Sequence, residues 1–289
     1  MSGRNVWQAE GVLTASVRLL DDTARAAVER VLDSEPIAAA QVVDRVHAHG
    51  LTRRPDSRLL GYGNRHELEA VCWHGTSLMP VHASAAATAA FAEAAGDSPR
   101  LCSSLIGESD AVLDLWHRLE PTWGPARDVR PSQPLLATWS EPVVPPDPTV
   151  RLVRPHEVDL LFPAAVAMYT EEVGVSPLIG DGGRDYRRRV ADLVRSRRSY
   201  AKFVGRRVVF KAELAVVTRH TAQVQGVWVA PEWRGRGLGT MAMSTVVRDA
   251  LRRLAPSVSL YVNDYNLAAR AVYARTGFRQ LGTFATVLL

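Results

Sequence analysis

The sequence predicts an α+β fold class, with two domains of similar size. The second domain is expected to contain a mainly antiparallel sheet flanked by helices. Three observations predict this. The 289 residues exceed the length of a minimal domain. A proline-rich stretch at 141–149 separates two segments that begin alike, and the second segment alternates helix-like and strand-like patterns from residue 150 to residue 289.

The proline-rich stretch places the domain boundary between residues 144 and 145. Its prolines, at 142, 145, 146 and 148, favour an extended, semi-rigid linker. The charge also changes there. Residues 1–144 carry 13 basic and 18 acidic side chains, a net charge of −5, and residues 145–289 carry 22 and 12, a net charge of +10. We therefore expect two domains, 1–144 and 145–289, and a second domain that favours anionic partners such as phosphates.

Periodicity predicts the order of elements in the second domain. A strand near 150–153 precedes helices near 155–173 and 184–196, and strands follow near 199–204, 207–217 and 221–229. The remaining elements are a helix near 236–254, a strand near 257–262, a helix near 266–276 and two closing strands at 278–282 and 284–289.

The first half repeats short features of the second half. Residues 17–20 and 150–153 each precede a helical pattern. Residues 59–73 and 203–214 each have the pattern of a strand pair around a glycine turn. Two matches in the same order favour a diverged internal duplication, with chance similarity of short segments as the alternative.

Composition argues against several classes of protein. Hydrophobic residues make up 47% and charged residues 22%, which is ordinary for a globular chain and argues against general disorder. No long uninterrupted apolar stretch and no signal-peptide pattern are present, so we expect a cytoplasmic location and no membrane partner. Cys72 and Cys102 do not have the spacing of metal ligands, and the scattered histidines do not have it either. We therefore expect no metal site. The histidines in question are His47, His49, His66, His74 and His82.

Residues 225–240 carry the most informative pattern. A β-rich run ends at Pro231, because proline has no amide hydrogen to give to a strand ladder. Arg234–Gly239, with three glycines and two arginines, then opens a helix. Glycines let backbone amides approach a ligand, the free amides and dipole of a first helical turn favour an anion, and arginine adds forked donors. The pattern predicts a pyrophosphate cradle, with a glycine turn carrying surface arginines as the alternative.

The spacing of this segment does not match better-known phosphate loops. It contains no Gly-x4-Gly-Lys-Ser/Thr, and it does not complete Gly-x-Gly-x-x-Gly. It resembles instead the Arg/Gln-x-x-Gly-x-Gly/Ala signature of the GNAT family of acyl-CoA-dependent N-acetyltransferases. A second element of that family, Asn-x-x-Ala-x-x-x-Tyr-x-x-x-Gly-Phe, is matched by Asn266, Ala269, Tyr273, Gly277 and Phe278. The resemblance covers about residues 150–289, and the two-part chain also resembles actinobacterial members with an N-terminal domain of the DUF4081 type.

The resemblance implies a GNAT fold for domain 145–289. It also implies acetyl-CoA as the acyl donor, a primary amine as the acceptor, and direct attack of that amine. The backbone of Val227, Trp228 and Val229 would hold the pantetheine arm, and Asn266 would touch it. The pyrophosphate would lie against Arg234, Gly235, Arg236, Gly237, Leu238, Gly239 and Thr240.

Tyr273 matches the family tyrosine that often protonates the leaving CoA thiolate, which is a general-acid role. It lies seven residues after Asn266, so both fall on one helix face. The structural alternatives are a packed aromatic ring for Tyr273 and a helix N-cap for Asn266, and an N-cap is compatible with cofactor binding.

The general base is where this sequence departs from the family pattern. Some members have a glutamate eleven residues ahead of the first Arg/Gln of the cofactor motif, and Gln223 stands there, which cannot act as a base. An alkyl ammonium has a reference pKa of about 10.4, so a base or desolvation must help the amine. Glu213 on the preceding strand is our substitute, and His220 is a weaker candidate. A salt-bridged structural role for Glu213 and an ordered-water route without a dedicated base are the alternatives.

An arginine-rich run lies where the family often builds part of the acceptor site. It would suit an acidic or phosphorylated acceptor, with a solvated helical face as the alternative. Its members are Arg184, Arg187, Arg188, Arg189, Arg195, Arg197 and Arg198.

If the duplication holds, residues 101–119 take the place of the cofactor motif in the first half. Gly107 is the one glycine at that turn, and Glu108 and Asp110 replace the arginines. Two carboxylates would repel a pyrophosphate. We therefore expect domain 1–144 to be a degenerate GNAT-like domain without a CoA site, which packs on the second domain and shapes the acceptor cleft.

Two other classes of function stay open. The missing strand glutamate motivates a catalytically silent acyl-CoA-binding sensor or scaffold. The +10 half motivates a nucleic-acid-binding protein, which the sequence favours less because the arginine run lacks interleaved aromatic residues. The identity of the acceptor, the preferred acyl chain and the oligomeric state, for which a homodimer is one option, are not set by the sequence.

Overall fold

The computed structural model describes residues 16–64, 67–97 and 100–289. The first fifteen residues, on which part of the signal-peptide interpretation rests, and His66 lie outside the described residues.

The first half contains six strands and four helices in the described ranges. They are β1 Ser16–Leu19, α1 Arg25–Ser34, α2 Ala40–His49, β2 Arg58–Gly63, β3 Leu68–His74, β4 Leu78–Val81, α3 Ala85–Gly96, β5 Ser104–Glu108, α4 Ser109–Trp123 and β6 Asp128–Thr138.

The second half repeats that order of elements. They are β7 Arg151–Leu152, α5 Val158–Val173, α6 Arg184–Arg195, β8 Ser199–Val204, β9 Arg207–Val217, β10 Ala222–Val229, α7 Leu238–Arg253, β11 Val258–Tyr261, α8 Leu267–Arg275 and β12 Arg279–Leu288. The predicted α+β class with a mainly antiparallel sheet is confirmed. The prediction of two closing strands is wrong, because Gly282 lies at a register shift within the single strand β12 and not at a chain reversal.

All twelve strands form one sheet, in the order β1-β2-β3-β4-β5-β12-β6-β11-β10-β9-β8-β7. The last strand of each half lies between the two halves. β12 pairs antiparallel with β5 of the first half, and β6 pairs antiparallel with β11 of the second half. β6 and β12 also pair with each other. Each half therefore completes the sheet of the other.

The hydrophobic cores follow the same exchange. Ala285 and Val287 of β12 are fully buried in a cluster built otherwise from the first half, around Phe91 and Leu115. Leu136 of β6 is buried in the main cluster of the second half. Burial of a large apolar side chain contributes about 1.5–3 kcal/mol. The strand exchange therefore ties the stability of the halves together through side chains as well as backbone hydrogen bonds.

Helix α7 has one buried face that packs on the sheet. Leu238, Ala242, Val246 and Ala250 are buried at spacings of four residues, which is the spacing that places side chains on one helix face. This face fixes the position of the N-terminus of α7, where the sequence predicts the pyrophosphate cradle.

The proline-rich linker is held against the opposite side of α7. Ser244 Oγ donates to the Val144 carbonyl oxygen at 2.6 Å, and Thr245 Oγ1 donates to that of Asp147 at 2.9 Å. Arg248 Nη1 and Arg252 Nε donate to the carboxylate of Glu141 at 2.6 and 2.7 Å. The linker is therefore a fixed strap along this helix.

The exchange predicts that neither half folds alone. Expressed separately, fragments 1–144 and 145–289 should each lack a cooperative thermal transition, because each loses a strand that fills its sheet and core. Co-expressed, they should form a 1:1 complex that melts cooperatively, measured by circular dichroism and size-exclusion chromatography.

Cleavage of the intact, folded chain beside Val143, which is 97% exposed, is the matched control and should leave the halves associated. A fragment 145–289 that melts cooperatively on its own would contradict the interdependence of the halves.

Candidate active site

The sheet opens between β10 and β11. These parallel strands pair only at Ala222↔Val258 and Gln223↔Ser259. β10 continues to Val229, so within the described chain its edge beyond Gln223 has no strand partner on the β11 side. An unpaired strand edge can bind an extended, amide-containing chain through its backbone groups. Val227, Trp228 and Val229, which the resemblance implies as the pantetheine-binding residues, lie on this edge.

A bulge distorts β10 at the point where it separates from β11. Its pairing with β9 is interrupted between Gln225 and Trp228, and Gly226 has a φ of +55°. A Cβ atom on Gly226 would lie 2.9 Å from Lys211 Nζ and 3.2 Å from Glu213 Cδ. Glycine is therefore required by both conformation and space, and its carbonyl oxygen accepts a hydrogen bond from Lys211 Nζ at 2.9 Å.

The turn after β10 leads into an uncapped helix. Gly235 and Gly237 have φ values of +72° and +77°, and a Cβ atom on either would meet nothing within 4 Å. These glycines are required by backbone conformation and not by lack of space. No side chain of the described residues caps α7 at Gly237. The amide hydrogens of Leu238 and Gly239, at the positive end of the helix dipole, are therefore available to an anion, while the Thr240 amide donates to the Gly237 carbonyl oxygen at 3.1 Å.

Arg234 is held in place by Glu171. Arg234 Nη2 donates to Glu171 Oε2 at 2.7 Å, and Arg234 Nε donates to the Val229 carbonyl oxygen at 2.9 Å. Trp228 Nε1 donates to the other carboxylate oxygen of Glu171 at 3.1 Å. A phosphate bound by Arg234 would have to replace Glu171 as its partner. Arg236 is exposed and has no ion-pair partner among the described residues.

The open edge, the uncapped helix and α8 surround one cleft of about 1680 Å³. Pockets for drug-sized ligands have volumes of about 300–1,000 Å³, so the cleft has room for a long cofactor and an acceptor together. The cleft brings together nearly all predicted site residues, although Arg236 does not line it. The predicted residues that line it are Val227, Trp228, Val229, Arg234, Gly235, Gly237, Leu238, Gly239, Thr240, Asn266, Tyr273 and Glu213.

Tyr273 and Asn266 lie on the α8 side of the cleft. Asn266 Oδ1 accepts from the Ala269 amide at 3.1 Å, so Asn266 is the N-cap of α8. The Tyr273 ring is 6% exposed and packs edge-on against Phe278 at 5.7 Å between centroids. Burial, and then the carboxylate of Glu172, raise the pKa of Tyr273 above its ordinary value. The hydroxyl therefore carries its proton at neutral pH.

Glu213 is buried between two cations. Its carboxylate accepts from Lys211 Nζ and from Arg189 Nη1, both at 3.1 Å, and the side chain of Lys211 is fully buried. Burial would raise the pKa of Glu213, but Lys211 and Arg189 outweigh it and hold the pKa below its usual value. Glu213 is thus an anchored carboxylate of reduced basicity.

Gln223 and His220 lie away from the cleft. Gln223 is fully buried, and its side-chain oxygen accepts from Gln41 and Gln225, each at 3.2 Å. His220 Nε2 lies 3.3 Å from Asp33 Oδ1 at the surface. Neither residue lines the cleft, so the structure does not bring His220 to the reaction site.

Three of the seven members of the arginine-rich run pair with acids on their own surface. Arg187 pairs with Asp159, Arg188 with Asp185 and Arg195 with Asp192. Arg189 is the member of the run that lines the cleft, and Glu213 neutralises it. The run therefore matches a solvated helical face better than a site for an acidic or phosphorylated acceptor.

Sequence reasoning missed Glu171, Glu172 and Lys211. Glu171 and Glu172 both line the cleft from the last turn of α5. A signal for them was present in the sequence. Two acids without a basic residue in the last turn of a helix oppose the helix dipole, and such a local conflict is expected at functional sites. Lys211 lies at a position of β9 where the alternating pattern predicts an outward-facing polar residue. The sequence therefore does not indicate that it is buried.

The counterpart of the cofactor motif in the first half is not residues 101–119. That segment forms β5 and α4, which correspond to β11 and α8. The true counterpart is the three-residue turn 82–84 between β4 and α3, where Ser84 accepts from the Ala87 amide and caps the helix. The assignment was wrong because the short strand β4 and the alanine-rich helix α3 carry little periodic signal.

Two further properties concern the whole described chain. The described residues contain no group of three or more His, Cys, Asp or Glu side chains arranged to hold a metal ion. A search of the same residues found no helix with both the length and the apolar character needed to cross a membrane.

The chain matches two family models. The model of the Acetyltransferase (GNAT) family matches residues 192–278, and the model of a domain of unknown function, DUF4081, matches residues 57–161. No curated protein matches the chain.

Solved structures share the fold over nearly the whole chain at low sequence identity. A GNAT-family acetyltransferase from Colwellia psychrerythraea has a TM-score of 0.57 at 11% identity and covers 95% of this chain and 99% of its own. A GCN5-related N-acetyltransferase from Sphaerobacter thermophilus has a TM-score of 0.59 at 16% identity, with 94% of both chains covered. A tandem GNAT protein of the clavulanic acid biosynthesis pathway has a TM-score of 0.51 at 15% identity, covering 94% of this chain and 98% of its own.

The fold, the open strand edge that leads to an uncapped helix and the two family matches agree with one another. The chain is an acyltransferase that carries a GNAT-family domain in its C-terminal half, preceded by a DUF4081 domain.

Proposed function

We propose that this protein is an N-acetyltransferase that transfers the acetyl group of acetyl-CoA to a primary amine by direct attack. One observation carries the proposal: the unpaired edge of β10 runs directly to the uncapped N-terminus of α7, and Tyr273 lies in the same cleft. We also propose domains 1–144 and 145–289 as the functional units, with the acyl-donor site in the second. Two free, buried cysteines, Cys72 and Cys102, support a reducing, cytoplasmic setting.

The residues of the cleft fit acetyl-CoA as a substrate. The amides of Val227 and Val229 suit the amide-containing pantetheine arm, and Asn266 lies at the start of α8 on the opposite side. The first-turn amides after Gly237 suit the pyrophosphate. Acetyl-CoA supplies an activated thioester, and the protein's part is to bind, orient and protonate.

Tyr273 is proposed as the general acid. Its buried hydroxyl stays protonated at neutral pH, because burial and the nearby Glu172 disfavour the phenolate. It can therefore give a proton to the sulfur of the leaving thiolate. Protonation by a positioned side chain contributes about 10²–10⁴-fold to a rate.

The charge of the cleft supports a cationic acceptor. Glu172, Asp181, Asp185 and Glu213 line its α5–α6 side, where Arg189 is the one basic lining residue among those described. Arg234 and Arg275 line the other part of the cleft. This distribution separates an anion-binding region from an acidic region, and an acidic region attracts an alkyl ammonium. It does not suit a phosphorylated acceptor.

Charge reversal should remove the binding of acetyl-CoA. At a ligand concentration of one hundred times Kd, a bound ligand stabilises a protein by about 2.7 kcal/mol. The double substitution Arg234→Glu with Arg236→Glu should abolish this stabilisation, because two carboxylates at the turn repel a pyrophosphate. The measurement is thermal unfolding with and without acetyl-CoA.

The control carries the same charge change away from the cleft, at the exposed residues Arg30 and Arg206. This variant should keep the full stabilisation. Equal stabilisation of the Arg234/Arg236 variant and the wild type would contradict the proposed pyrophosphate site.

Removal of the tyrosine hydroxyl should separate binding from chemistry. Tyr273→Phe should lower kcat by about 100-fold or more, because the leaving thiolate loses its proton donor, and should leave the Kd of acetyl-CoA within two-fold. The measurements are steady-state CoA release with a panel of amines and calorimetric binding of acetyl-CoA.

Tyr62→Phe in the first half, where the ring packs on Phe91, is the matched control and should keep the wild-type rate. A wild-type protein that binds acetyl-CoA but releases no CoA with any amine would favour a sensor or scaffold over an enzyme.

A further inference from the structure

Five carboxylates line the cleft among the residues that the structure describes. They are Glu171, Glu172, Asp181, Asp185 and Glu213. Four of them accept hydrogen bonds within the protein. The donors are Trp228 and Arg234 for Glu171, the Gly183 and Asp185 amides for Asp181, Arg188 for Asp185, and Lys211 and Arg189 for Glu213. The carboxylate of Glu172 accepts no hydrogen bond from any described residue, so it is the cleft carboxylate left available for a ligand.

The backbone of Glu172 is fixed although its carboxylate is not. Arg130 Nη2, on β6 of the first half, donates to the Glu172 carbonyl oxygen at 2.6 Å. Glu172 also lies in the last turn of α5, where the helix dipole presents its negative end. The dipole and the carboxylate therefore both favour a positive group at this point of the cleft.

Charged groups surround Glu172 from every neighbouring element. Arg130 lies on β6, Lys211 and Glu213 lie on β9, and Arg189 lies on α6. Lys211 and Arg189 are already paired with Glu213, so they leave the charge of Glu172 largely uncompensated. Glu171, its neighbour on α5, is engaged by Arg234.

The Glu172 side chain is exposed to the cleft, where a ligand can reach it. The carboxylate is accessible from the cleft, but protein surrounds that part of the cleft. Desolvation by the neighbouring protein raises the pKa of Glu172 above its usual value, although the side chain is exposed to the cleft and Arg130 acts in the opposite direction. A carboxylate whose pKa moves towards neutrality is a better general base than one held low, as Glu213 is.

Glu172 and Tyr273 belong to the same reaction site. Both side chains line the cleft, and the negative charge of Glu172 adds to the larger effect of burial in raising the pKa of the Tyr273 hydroxyl. A proton acceptor and a proton donor therefore face one volume, which is what acyl transfer to an ammonium requires.

We propose that Glu172 binds the ammonium group of the acceptor and is the general base of the reaction, while Glu213 holds Lys211 and Arg189 in place. This rests on the proposed function. The ammonium gives one proton to Glu172, and the neutral nitrogen forms a bond to the thioester carbon as the carbon–sulfur bond breaks. Tyr273 gives its proton to the leaving sulfur, and the second proton lost from the nitrogen restores the tyrosine. Glu172 then releases its proton to solvent, so one proton is set free per turnover.

The test compares Glu172→Gln with Glu171→Gln, its neighbour on the same helix. CoA release is measured from pH 5 to pH 9 with spermidine, glucosamine and a lysine-containing peptide as amine probes. With the best of these amines, Glu172→Gln should lower kcat/KM for the amine by at least about 100-fold. It should also lose the acidic limb of the pH–rate profile. This limb is the pH range in which the wild-type rate rises with pH because Glu172 becomes ionised. Its Kd for acetyl-CoA should stay within two-fold of the wild-type value.

Glu171→Gln should keep the acidic limb and should change the KM for acetyl-CoA, because it frees Arg234. A Glu172→Gln enzyme that keeps both the rate and the acidic limb would overturn the proposal, as would a Glu213→Gln enzyme that folds and loses the limb. If the wild type turns over none of the amines, the proposed function itself fails and this inference falls with it. If the wild type is active and the Glu172→Gln variant is unaffected, only this inference is wrong, and the proposed function is not contradicted.

Discussion

The early separation of β10 from β11 is the constraint on which the site depends. Two parallel strands that pair over two residues and then diverge leave a backbone edge open inside a sheet. Buried backbone groups without partners are costly, so such an opening persists only where a ligand or solvent satisfies them. The bulge at Gly226 turns the edge, and the glycines after β10 carry the chain into α7 without a cap. Strand edge, turn and helix N-terminus form one continuous binding surface for that reason.

The first half of the chain supports this opening from the other side. β6 pairs with all four residues of β11, so the exchanged strand holds β11 beyond the two residues at which it pairs with β10. Arg130 on the same β6 binds the end of α5, where Glu171 and Glu172 stand. The strap at 141–149 then fixes the outer side of α7. In the first half, the corresponding helix α3 is capped by Ser84. The first half nevertheless contributes to the geometry of the cleft in the second half.

Much of this arrangement was predictable from sequence. The order of elements, the glycine turn and the positions of Asn266 and Tyr273 follow from local periodicity and motif spacing, since each depends on residues close together in the chain. The strand exchange was not predictable, because β6 and β12 have ordinary strand patterns and their partners are chosen by tertiary structure. The ion pairs of Glu213 were not predictable either. The sequence identifies Glu213 as a carboxylate on a strand, but its neutralisation by Arg189 depends on the packing of α6 against β9, and the sequence does not show that Lys211 on the same strand is buried beside it. Glu172 was missed because an acid near a helix end resembles a solvated residue.

The central claim is that the open edge of β10 and the N-terminus of α7 hold an acyl-CoA with its thioester beside Tyr273. The most direct measurement is a crystal structure of the protein with acetyl-CoA. We expect the pyrophosphate within hydrogen-bond distance of the amides after Gly235, the pantetheine along Val227–Val229, and the sulfur next to the Tyr273 hydroxyl. A cofactor bound elsewhere, or a thioester sulfur outside the reach of that hydroxyl, would contradict the claim.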